Sequence, residues 1–199
     1  MQSKNNKSVS TKKIARHSER RRQRLRNGII SGSLILAAII MIFLLSNDKE
    51  QVDQQIDGVT EFPDLGRDHV GDTVSYEQTP PVGGPHNPAW QNCGVYTEPI
   101  ANENGVHSLE HGAVWITYQP SLPDSEVQAL QALTRQSGFR LLSPYPDLPS
   151  PIVISAWGYQ LQIEQADDPR LMSFIEQYEQ SPQGPEPGAP CTGGIGQPG

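Results

Sequence analysis

An uncharged run of eighteen residues, Gly28 to Leu45, divides this chain into two parts that cannot belong to one ordinary soluble fold. It is built mainly of Ile, Leu, Ala, Met and Phe. As a helix it would span about 27 Å, close to the thickness of a bilayer's hydrocarbon core. The other meaning of such a run is a cleaved signal peptide. Signal peptides have shorter apolar regions, of about 7–15 residues, that end in a small-residue cleavage site. Leu44-Leu45-Ser46-Asn47-Asp48 does not resemble that site. The reading is therefore an uncleaved transmembrane helix over residues 28–45.

Charge sorts to the two sides of this run. Residues 1–28 hold ten of the fifteen Lys and Arg against one acid, Glu19, a balance of +9. The remaining five bases and twenty-one acids give −16, and the two together make the net −7. Positive charge stays on the cytoplasmic side, so the N-terminus is expected inside the cell and the acidic remainder outside it. Residues 1–27 are polar, basic and aperiodic, as in a disordered tail that marks topology. An acidic exported part is also a poor surface for nucleic acid. The expected protein is an integral, single-pass membrane protein, with any protein partners in the cell envelope.

Residues 46–66 read as a polar linker, 67–180 as the extracytoplasmic domain and 181–199 as a Pro/Gly-rich tail. Within the domain, His69 to Tyr76 alternates loosely as a short strand would. Pro80 to Pro99 carries five prolines and three glycines, too many for a regular ladder. Trp90, Cys93 and Tyr96 argue that this loop is nevertheless ordered. Ala113 to Tyr118 is apolar on both faces, as in a central strand. Ser121 to Asp124 reads as a capping box for a helix that ends at Gly138. Phe139 to Leu142 is a short strand, and Pro151 to Glu164 a long one with a bend or bulge near Ala156. Asp168-Pro169 opens a last helix, whose Leu171, Phe174, Ile175 and Tyr178 share one face. The order β-α-β-β-α predicts an α+β fold of ferredoxin-like type, an antiparallel-containing sheet with helices on one face.

The chemistry concentrates in His107-Ser108-Leu109-Glu110-His111. H-x-x-E-H is the inverted zincin signature, in which two histidines bind zinc and the glutamate is the base. That chemistry needs a helix, and with Gly105 before and a β-rich run after Gly112, at most one turn is expected here. A metal site of other geometry fits better. The exported part has four histidines, His69, His86, His107 and His111, and no Lys or Arg between Arg67 and Arg135. Imidazoles and a carboxylate in a cation-free zone suit a transition ion such as zinc or copper. The candidate ligands are His86, His107 and His111, with Glu110 as ligand or supporting partner. A metal-free binding surface, built from the Pro80–Trp90 loop with Tyr145, Trp157 and Tyr159, stays open beside it. Hydrolysis by a serine triad is not supported, because no G-x-S-x-G occurs. Phosphate-loop, dinucleotide-binding and C-x-x-C patterns are also missing.

Cys93 and Cys191, both on the exported side, are expected to form a disulfide in an oxidising compartment, with thiolate metal ligation as the alternative. Several blocks carry a resemblance. They are Pro80-Pro81-Val82-Gly83-Gly84-Pro85-His86, Trp90 with Cys93-Gly94-Val95-Tyr96, Val106 through Trp115, Leu142 through Pro146, Ala156-Trp157-Gly158 and Cys191-Thr192-Gly193-Gly194. Together they resemble bacterial domain-of-unknown-function family 3105 over roughly residues 60–195. The resemblance implies a membrane segment followed by this domain. It implies no activity, but its blocks contain His86, Cys93, His107, Glu110, His111 and Cys191.

Overall fold

The computed structural model describes residues 55–199 of the chain. The basic tail 1–27, the expected span 28–45 and the first part of the linker lie outside these residues. Among the described residues no helix is long and apolar enough to cross a membrane.

Val114–Tyr118 (β3) is buried along its whole length, because it has a strand on each edge and a layer on each face. The other strands are β1 (Thr60–Glu61), β2 (Gly94–Val95), β4 (Arg140–Pro144), β5 (Ile152–Ala156) and β6 (Tyr159–Ile163). They form one mixed sheet in the order β1-β6-β5-β3-β4-β2. β3 runs parallel to β4, and β4 parallel to β2, whereas β5 and β6 continue the sheet antiparallel. The helices are α1 (Asn102–Glu110), α2 (Asp124–Thr134) and α3 (Pro169–Tyr178). The α+β class holds.

The ferredoxin-like arrangement does not. That fold splits its β-α-β unit by placing another strand between the two parallel ones. Here β3 and β4, joined through α2, are direct neighbours with Trp115 opposite Leu141 and Ile116 opposite Leu142. Nor do the helices share one face. Val114, Ile116 and Tyr118 pack with Leu130 of α2 and with Leu171, Phe174, Ile175 and Tyr178 of α3. Trp115, between them in sequence, points the other way and packs with Leu109 of α1, Leu141 and the two cysteines. The period-two alternation of β3 thus feeds two cores, one behind the sheet and one beneath the site.

Local signals fared unevenly. Asp168 caps α3 as expected, its carboxylate accepting the Arg170 amide with Pro169 in the first turn. α2 starts at Asp124 with no side-chain cap bond and ends at Thr134, so neither the Ser121 box nor the Gly138 cap forms. The long strand expected over 151–164 is a hairpin, β5 and β6, reversed at Trp157-Gly158 with Gly158 at φ +77°. A left-handed residue there costs glycine little, and the phase shift at Ala156 marks the reversal of the chain. The strand expected at 69–76 is reduced to one bridge, His69 beside His86.

Two segments expected to flank the domain take part in it. Ile56 and Val59 pack on the main core and β1 pairs with β6, inside the stretch read as linker. The Pro/Gly-rich tail folds back along the site. Cys191 is bonded to Cys93 with Cα atoms 5.3 Å apart across 98 residues of sequence, so the thiolate-ligand alternative is corrected. In the chain-entropy account a loop of that length is worth about 4–5 kcal/mol. Replacing both cysteines with serine should therefore lower the unfolding free energy by about that amount, measurable as an earlier chemical denaturation midpoint.

Candidate metal centre

α1 is the element that the sequence concealed. It runs nine residues, Asn102–Glu110, where one turn at most was expected. Its N-cap, Ala101, offers no side-chain acceptor, so the usual start signal is missing. Gly105 looked like a breaker, but its role is contact. A Cβ at this position would lie 2.8 Å from the buried Trp115 ring, so only glycine lets the helix approach the sheet this closely.

The opposite side of α1 is laced to the Pro80–Gln91 loop. The Gln91 amide donates to the Asn104 carbonyl, the Asn87 amide to the Glu103 carbonyl, and Ser108 Oγ to the Gln91 carbonyl. The loop is pinned from the sheet side as well, by Gly158 N on the Val82 carbonyl and by Gln160 Nε2 on the Pro80 carbonyl. Helix, loop and hairpin therefore hold a fixed gap. His86 from the loop and His107 and Glu110 from α1 point into it.

His107 and Glu110 are three residues apart and so share a helix face. Glu110 Oε2 lies 2.9 Å from His86 Nε2 and 3.7 Å from Nε2 of His69. One ligand atom from each of His69, His86, His107 and Glu110 falls within 4.8 Å of every other. The imidazoles are also oriented. His86 Nδ1 is 2.8 Å from the Gly84 carbonyl and His107 Nδ1 is 2.7 Å from that of Asn87. A carbonyl oxygen only accepts, so each Nδ1 carries a hydrogen and each ring directs its Nε2 edge toward the other donors. His107 is held below the ordinary histidine pKa, chiefly by burial, with the neighbouring His111, His86 and His69 adding to that effect and the Asn87 hydrogen bond opposing it. Low pKa favours the neutral imidazole, the form that binds metal.

Of the four expected ligands, the fold brings His86, His107 and Glu110 together. His111, at the C-terminal cap of α1, stands apart from the four-donor group. Its ring packs edge-on to His107 and beside Trp90, and its Nδ1 meets the Pro190 carbonyl in the tail. His69 takes the remaining place. It was counted among the four exported histidines but not singled out, because nothing in the sequence ties a residue 17 positions before His86 to it. The cation-free zone was the one available signal. Of the aromatic residues considered for a metal-free surface, Trp157 packs edge-on to His86, while Tyr145 lies against Trp115 and Tyr159 stacks on Tyr178.

The fold and this cluster define an α+β domain carrying a histidine–carboxylate centre between a helix and a loop. The chain belongs to the family of proteins of unknown function DUF3105, which matches residues 69–193. That span contains all four clustered side chains and both cysteines. No curated protein and no solved structure matches the chain.

The Gly105 contact decides whether α1 can sit where the cluster needs it. Alanine would gain about 1 kcal/mol in helix propensity, but overpacking a filled core costs about 1–3 kcal/mol. Trp115 is fully buried and has little room to yield. Gly105→Ala should thus destabilise the protein rather than stabilise it, visible as a lower melting temperature.

Proposed function

We propose that this domain binds a single transition-metal ion, zinc or copper, through His69, His86, His107 and Glu110. In this reading it is displayed outside the membrane by an anchor at residues 28–45, with the N-terminus cytoplasmic. One observation carries the metal assignment: four donors from three separate segments converge, and two of the imidazoles are pre-oriented by backbone carbonyls. Carbonyl or carboxylate partners on the far ring nitrogen are the usual outer-shell support of metal-bound histidine. The spacing also suits an ion. Zinc–nitrogen bonds of about 2.0–2.1 Å in a tetrahedron put ligand atoms about 3.3 Å apart. The 2.9 and 3.7 Å separations to Glu110 bracket that value, and the whole group, within 4.8 Å, would draw in around the ion.

Binding is favoured over hydrolysis. A zincin-type site needs its glutamate free to act as base and an open coordination position. Glu110 instead sits at ligand distance among the imidazoles, and His111 stands apart from the donor group. A metal-free structural module is the second reading. It is favoured by the direct His86–Glu110 contact, which satisfies both groups without an ion.

Elemental analysis of the full-length chain purified in detergent separates the two readings. Near-stoichiometric zinc or copper, lost in His86→Ala and His107→Ala but kept in His111→Ala, is the expected result. A metal-free protein that also takes up none of the added ions overturns the metal reading. Metal at a hundredfold excess over its Kd should also raise unfolding free energy by about 2.7 kcal/mol, an increment that a chelator removes.

A further inference from the structure

The four donors are not equivalent. His86, His107 and Glu110 are 0 %, 4 % and 3 % exposed, whereas the side chain of His69 is 49 % exposed. His69 lies across the mouth of the cluster, stacked on His107 with ring centroids 4.9 Å apart and edge-on to His86 at 4.8 Å. It is also the one imidazole of the three without a carbonyl to fix its ring. Among the described residues, no hydrogen bond holds either of its nitrogens.

The strap that carries it, residues 66–79, is exposed or half-buried throughout. A few bonds fasten it: Val70 N to the His86 carbonyl, His86 N to the Asp68 carbonyl, Val74 N to Glu103 Oε1, and Tyr76 Oη to the Pro85 carbonyl. All of these hold the strap's backbone or its far end, and none holds the His69 side chain. Rotation of that side chain into solvent therefore breaks no protein hydrogen bond. The same motion at His86 or His107 would break an Nδ1 bond to a carbonyl inside a packed loop.

We infer that the centre is an exchange site whose ion is cargo, and that His69 is the ligand that lets go. This inference rests on the metal reading above. Three buried donors keep the ion while the bond to His69 Nε2 breaks and a bond forms to a nitrogen or oxygen donor of the molecule that delivers or removes it. The step is ligand substitution: one coordination bond is exchanged for another and no electron is transferred. A structural zinc site is closed by four protein ligands and holds its ion to support the fold. This one keeps its only solvent-facing ligand on its least-fastened segment.

The test is zinc release from the loaded full-length chain to a pyridylazo chelator, followed by stopped-flow absorbance. In the wild type the release rate should rise with chelator concentration, as it must if the chelator enters at the His69 position. His69→Ala should still bind near-stoichiometric zinc and release it at least about tenfold faster, taking as a floor the affinity that loss of even an outer-shell partner costs a metal site. Added imidazole should slow that release by refilling the vacated position. His86→Ala should hold no zinc. Loss of zinc from His69→Ala to the same degree as from His86→Ala, or release from it at the wild-type rate, overturns the exchange role while leaving a metal site in place. A wild-type chain that takes up no zinc or copper overturns the metal reading itself, and the exchange role with it.

Discussion

A carboxylate buried beneath three imidazoles is the constraint that organises this domain. Glu110 is 3 % exposed and its nearest polar partner, His86, is fully buried. Taking an ionised carboxylate out of water costs several kcal/mol unless a charge or a set of donors meets it. Each nearby segment is placed so that something does. The Pro80–Gln91 loop, which has no regular ladder of its own, is held by backbone bonds to α1 and to the β5–β6 hairpin, and it delivers His86 to within 2.9 Å of Glu110. Polar groups this deep, satisfied only in one arrangement, favour a single packing of loop on helix over many near-equal ones.

The C-terminal tail belongs to the same constraint. A helix leaves its last carbonyls without partners, and those of α1 lie at the site. Glu186 N bonds the Glu110 carbonyl, Gln180 Nε2 that of His111, and Gln180 N that of Gly112. Ile195 lies beside Gln91, and Cys191 is tied to Cys93, so the tail closes over the loop that carries His86. A stretch so rich in proline and glycine has no helix or strand to offer. It supplies capping donors and acceptors instead, and the disulfide holds them there.

How much of this was legible depends on whether the signal was local. α3 was readable almost residue by residue, since its cap, its first-turn proline and its apolar face all lie within ten positions. β3 was readable because burial on both faces writes an unbroken apolar run. The sheet order was not, because a parallel pair joined through a helix and a split pair place the same elements in the same sequence. α1 was missed because its stability comes from packing and not from propensity: Gly105 weakens the helix in isolation and is needed in the fold. His107 and Glu110 were found because they are three residues apart. His69 was passed over because its place depends on a bridge to His86 that no spacing announces, and the position of His111 outside the four-donor group was not legible because sequence adjacency does not reveal which way a helix ends.

The donor set then narrows the chemistry further than the histidine count could. With Cys93 and Cys191 bonded to each other, the described residues leave no thiolate for the centre, and ions that prefer soft sulfur lose their reason to bind there. Three imidazoles and one carboxylate are borderline ligands that suit zinc or divalent copper. They also resist the oxidation that would destroy a free thiol in the oxidising surroundings expected of an exported domain. Such a compartment would consume cysteines as staples, which fits the Cys93–Cys191 bond, and would leave histidine as the residue for the proposed metal site. The staple and the site are physically joined, since Pro190, next to Cys191, holds His111 against the His107 ring. In one domain the disulfide fixes the tail, the tail caps α1, and α1 sets the distance between an imidazole and a carboxylate.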